Sequence, residues 1–80
     1  MEGDLQRTIG RNLRQLRLAR GLSQERLAEQ LGYSRGYISE LELGKRNLSL
    51  RSFERLAADL DTVPLALLAL SPATYKSVDP

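Results

Sequence analysis

The feature that most limits what this chain can become is its punctuation. Ser23, Ser34 and Ser49 each stand just before a stretch of helically spaced apolar residues. A hydroxyl in that place accepts one of the unpaired N–H groups of a helix start. Gly21, Gly32 and Gly44 each stand just after such a stretch, where a residue with no Cβ readily ends a helix. Pro64 suits the first turn of one more helix, because the N–H it lacks would have no partner there.

Between these marks the helical period holds. Leu5, Ile9, Leu13 and Leu16 recur at spacings of four, four and three, with Arg7, Arg11, Arg14 and Gln15 on the wet side. This predicts a first helix over about residues 4–20. A second over about 24–31 turns Leu27, Ala28 and Leu31 inward, and a third over about 35–43 turns Ile38 and Leu41 inward. After the polar loop Lys45–Asn47, a fourth over about 50–60 carries Phe53, Leu56, Ala57 and Leu60 at helical spacing. A short fifth covers about 64–70 and ends at Ser71-Pro72. No strand alternation and no internal repeat is visible. The fold class is therefore all-α: one compact five-helix domain over residues 1–70, followed by a loose tail over 71–80.

Composition removes several kinds of chemistry. In 80 residues there is no cysteine and no histidine. Disulfides, thiolate metal sites, the commonest zinc ligand, the usual general base and the cysteine nucleophile are absent together. The carboxylates, serines and lysines form no recognisable catalytic arrangement, and the glycines lack a phosphate-loop pattern. No enzyme activity, metal or cofactor is expected. The apolar run Val63–Leu70 is far short of the roughly 20 residues that span a bilayer. Met-Glu-Gly-Asp at the start has neither the positive nor the apolar part of a signal peptide, which predicts a cytoplasmic protein. The net charge of +2 is unevenly placed: residues 1–58 hold 11 Lys/Arg against 7 Asp/Glu, while Lys76 faces Asp59, Asp61 and Asp79 in the remainder. A basic body suits a polyanion.

The segment Gln24–Leu43 carries the functional signal. Two short helices meet at a tight turn. Ala28 is small where the helices must approach, and Gly32 sits where the turn needs a positive φ. Ile38 and Leu41 anchor the second of the pair, leaving Arg35, Gly36, Ser39, Glu40 and Leu43 outward and Tyr37 on the border. A helix pinned on one side and polar on the other fits the DNA major groove, about 12 Å wide.

Leu22-Ser23-Gln24-Glu25, Leu27-Ala28, Gly32, Ser34, Tyr37-Ile38-Ser39, Glu42 and Gly44-Lys45-Arg46 resemble the pattern of the Cro/CI-type helix-turn-helix regulators, also called the xenobiotic-response-element family. The resemblance runs from about Leu13 to Leu68 and implies a lambda-repressor-like domain with the helix-turn-helix at the second and third helices. Within that family, Ser34-Arg35-Gly36-Tyr37-Ile38-Ser39 and Arg46-Asn47-Leu48 look most like the controller proteins of restriction–modification systems.

The resemblance implies roles. Arg35 stands where the family reads base edges, and a guanidinium there can hold guanine O6 and N7 together. Gly36, Ser39 and Glu40 share that outward side. Gly36 either brings the backbone close to DNA or marks a frayed first turn; Glu40 either accepts from cytosine N4 or is an ordinary solvated carboxylate. The DNA backbone falls to Gln24, Ser34, Tyr37, Lys45, Arg46 and Asn47, with Arg51 and Arg55 as outer contacts. In the family the glutamine matching Gln24 also braces the third helix. Tyr37 has a second reading, as a ring covering the core edge. Arg17 and Glu42 match an internal ion pair tying the first helix to the third.

Val63, Leu65, Leu67, Leu68 and Leu70 are more than so short a helix can bury against its own core, and family members commonly dimerise through this end. The alternative is that Tyr75 and Val78 fold back over them. Together these residues predict a sequence-specific regulator that binds double-stranded DNA as a homodimer on a near-palindromic operator and controls its own promoter. An antitoxin, a prophage-type repressor and a protein-interaction module on the same fold are the alternatives.

Overall fold

The computed structural model describes residues 3–69. Five helices follow one another: α1 (Asp4–Ala19), α2 (Gln24–Leu31), α3 (Arg35–Glu42), α4 (Leu50–Asp59) and α5 (Pro64–Leu68). No strand occurs among the described residues. No helix there is long and apolar enough to cross a membrane.

The three serines cap as their positions require. Ser23 Oγ accepts from the backbone N–H of Arg26 at 3.0 Å, Ser34 Oγ from that of Tyr37 at 3.1 Å, and Ser49 Oγ from that of Ser52 at 3.0 Å. Replacing such a cap with alanine costs about 1 kcal/mol. Gly32 adopts φ 77° and its N–H closes on the Ala28 carbonyl, so α2 stops and the chain turns at once into α3. A side chain at that φ would strain the turn.

Leu13, Leu27, Ile38, Leu56 and Leu60 fill the centre and are almost wholly buried. α1 lies against α3 and α5, α2 against α3, and α4 against α5. Gly10 makes the first of these contacts possible. A methyl group there would stand 2.7 Å from the Glu42 carbonyl oxygen and nearer still to that of Leu41. Side chains then close two open helix ends, whose last carbonyls have no partner within the helix. Arg20 Nη2 donates to the Leu60 carbonyl at 2.7 Å, with its charge at the negative end of the α4 dipole. Asn12 Nδ2 donates to the carbonyls of Leu67 and Ala69, both at 2.7 Å, and so ties α5 to α1.

Two apolar residues stand elsewhere than their spacing suggests. Leu5 extends the α1 stripe in sequence but is 67 % exposed, where it lines an open groove with Leu48, Leu50 and Phe53. Leu67 was expected on a subunit contact and is instead 2 % exposed inside the protomer, where α5 turns it onto the core. α5 leaves Val63 and Leu65 outside and Leu68 half-buried. Leu70, the tail over 71–80, and the alternative cover by Tyr75 and Val78 lie outside the described residues.

Candidate nucleic-acid interface

The side of α3 that faces the protein is dry. Ile38 and Leu41 are buried in the core cluster with Leu27 and Ala28 of α2. The end of α3 is fixed by charge as well. Arg17 Nε donates to Glu42 Oε2 at 2.6 Å and Arg17 Nη2 to Glu42 Oε1 at 3.1 Å, a two-point grip. The third nitrogen, Nη1, donates to the Leu22 carbonyl at 2.8 Å, and Gln24 Nε2 donates to Glu42 Oε1 at 3.0 Å. Arg17 of α1 and Gln24 of α2 thus meet on the Glu42 carboxylate of α3, and Arg17 also holds the Leu22 carbonyl of the α1–α2 turn. Both charged side chains are more than nine-tenths buried. Its hydrogen bonds to Glu42 hold the Arg17 guanidinium above its ordinary pKa against the opposing effect of burial. No buried side-chain polar atom among the described residues lacks a partner. Gln24, expected to touch DNA and to brace α3, makes this brace.

The other side of α3 is wet. Arg35, Gly36 and Glu40 are exposed, as is Leu43, while Ser39 and Tyr37 are half-buried. Gly36 has open space around its would-be Cβ, so nothing within the protein requires a glycine there. Arg35 opens onto a shallow depression of about 410 Å³ shared with Arg17, Ser23, Gln24 and Glu25. The N-terminus of α2 ends in that depression, and free N–H groups with a positive dipole end favour an anion. Ser34, exposed, spends its oxygen on the α3 cap.

Past α3 the chain carries Lys45, Arg46 and Asn47, all exposed. Arg46, though exposed, folds back along α3. Its Nε donates to Glu40 Oε1 at 2.9 Å, and its guanidinium lies 5.0 Å from the centre of the Tyr37 ring. Tyr37 in turn packs on Tyr33 at 4.8 Å between ring centres. Burial, first among the causes, pushes the Tyr33 hydroxyl above its ordinary pKa. Glu40 is thus engaged by Arg46 through one carboxylate oxygen, Oε1. Asn47 accepts from Gln6 Nε2 at 2.6 Å.

Gln6, Gly10 and Asn12 escape a reading of the sequence. They shape the interface or its support, yet they look like ordinary members of an amphipathic helix. Only the uncharged, small or short-amide side chain at each place gave any sign.

The chain matches the helix-turn-helix family over residues 13–68. It is 39 % identical over 67 residues to a hypothetical transcription factor of Neisseria meningitidis serogroup B, covering 84 % of this chain and 63 % of that relative's length. It is 38 % identical over 69 residues to control protein C.BamHI of Bacillus amyloliquefaciens, covering 85 % of each. Its fold superposes with a TM-score of 0.67 on the restriction-modification controller protein C.AhdI of Aeromonas hydrophila, at 45 % identity over 78 % of this chain and 94 % of that one. With a match across more than half its length and the two-helix unit built as described, the chain belongs to the helix-turn-helix family of DNA-binding transcriptional regulators and resembles the restriction–modification control proteins.

Proposed function

We propose that this protein is a sequence-specific regulator that binds double-stranded DNA as a homodimer, reads a near-palindromic operator that includes its own promoter, and serves as a restriction–modification controller. One observation carries the reading. α3 is rigid and dry behind, at Ile38, Leu41 and the Arg17–Glu42 pair, and offers Arg35 and its neighbours in front. Arg35, Gly36 and Ser39 face the bases. Gln24, Ser34, Tyr37, Lys45, Arg46 and Asn47 lie toward the phosphates. The reaction is binding alone, without catalysis, metal or cofactor, in the cytoplasm. The likeness to C.BamHI and C.AhdI supports the controller role.

Val63 and Leu65, 61 % and 74 % exposed, support a dimer through α5. Leu68 continues that apolar surface into a groove of about 230 Å³ with Leu5, Ile9, Leu48, Leu50 and Phe53. A two-fold axis there sets two copies of α3 about 34 Å apart, one helical turn of DNA. Fluorescence anisotropy with random-sequence duplex tests the binding. Affinity should fall steeply as salt rises, since each neutralised phosphate releases counterions. Affinity independent of salt defeats the proposed phosphate contacts.

A further inference from the structure

We propose that Glu40 and Gln6 are positioning residues that preset the loop after α3 for DNA, Glu40 acting through Arg46 and Gln6 through Asn47. The inference rests on the DNA reading above. Tyr37 and Glu40 are three residues apart on α3, so they share one surface one turn apart. Arg46 is folded back along that surface by two restraints of different kinds: the 2.9 Å bond from its Nε to Glu40, and the Tyr37 ring beneath its guanidinium. With Nε committed to Glu40, the outer edge of the guanidinium, Nη1 and Nη2, is the one left to grip two oxygens at once.

Asn47 is preset in the same manner. An amide has a donor end and an acceptor end. The 2.6 Å bond from Gln6 Nε2 engages Asn47 Oδ1, so the acceptor end is turned to α1 and the NH₂ end away from it. An NH₂ is the end that suits a phosphate oxygen.

These contacts do little for folding. Glu40 and Arg46 are each about half exposed, and exposed ion pairs contribute little to stability. Their effect falls on binding. Immobilising a rotamer-rich side chain opposes association, and a side chain already held has less freedom to lose. Glu40 also has an opposing effect, because its charge repels phosphates on any duplex. The two effects separate by target. Repulsion acts on every sequence; positioning helps only where the donors meet their partners in register.

A double-mutant cycle with Glu40→Ala and Arg46→Ala tests this, on random-sequence duplex and on duplex selected from a randomised library by the wild-type protein. Glu40→Ala should tighten random duplex slightly and weaken selected duplex about three- to fivefold. In the Arg46→Ala background the weakening should vanish, and Glu40→Gln, which keeps an acceptor without the charge, should recover part of it. Gln6→Ala should behave likewise against Asn47→Ala. Thermal midpoints of these single variants should stay within about 3 °C of wild type, which excludes unfolding as the cause. Equal tightening on both duplexes overturns the positioning role and leaves Glu40 a mere repulsive charge. A loss that persists without Arg46 and is confined to one base pair overturns it in favour of direct readout by Glu40. Wild-type protein that binds neither duplex defeats the DNA reading itself, and the positioning role with it.

Discussion

α3 and α5 are built on the same plan and finished in opposite chemistry. Each is held from behind by buried aliphatic side chains, Ile38 and Leu41 under α3 and Leu67 under α5. Each leaves one side outside. On α3 that side carries Arg35 and the Glu40–Arg46 pair; on α5 it carries Val63 and Leu65. Charged donors keep their water until a polyanion replaces it, whereas apolar groups gain only from a partner that excludes water. Two exposed sides of opposite kind suit partners of opposite kind, which in the proposed reading are DNA at α3 and a second copy at α5. The fastening differs too. A buried ion pair with a two-point grip locks α3, while α5, five residues long, hangs from Leu67 and the two bonds of Asn12. The reading helix is the more firmly placed of the two.

The largest expected effect breaks that lock. Glu42→Ala leaves the Arg17 charge buried and unpaired, and should destabilise by about 3–5 kcal/mol in urea unfolding. A loss under about 1 kcal/mol would show that α3 is held by its apolar contacts alone. Next, the two leucines of α5 should part company. Leu67→Ala should cost about 2–5 kcal/mol by opening a cavity, while Leu65→Ala should stay within about 0.5 kcal/mol for the monomer. Equal losses would mean that α5 does not turn Leu67 inward. Third, Leu65→Glu should convert dimer to monomer in sedimentation with helix content intact, because it charges the apolar side without touching the core. An unchanged dimer moves the subunit contact away from α5. The smallest effect sharpens the wet side. Arg46→Ala should weaken random and selected duplex, the selected one more, and lower the salt slope by about one; loss at a single base position would make Arg46 a base reader.

Much of this organisation was legible in the sequence because it is local. The caps at Ser23, Ser34 and Ser49 act within three residues, and a glycine at a turn declares its φ without help from the rest of the chain. The inner side of α3 was legible for the same reason, since Ile38 and Leu41 define a face by themselves. What could not be read depends on distant partners. Gly10 is needed only because the Leu41 and Glu42 carbonyls arrive against it. Gln6 meets Asn47 across 41 residues, and Asn12 meets Leu67 across 55. α5 is too short for periodicity to choose a face, so Leu65 and Leu67 looked alike until packing separated them. At the interface, nothing in α3 itself announces that Arg46 folds back on Glu40.

The central claim is that the outward side of α3 selects sequence. The direct measurement is selection from a randomised duplex library with wild-type protein and with Arg35→Ala, both verified as folded dimers. The account predicts that wild type enriches a near-palindromic site and that Arg35→Ala loses the preference at one base pair in each half, by about 1–3 kcal/mol, while keeping the others. Recovery of the same site with the same strength at every position would contradict it.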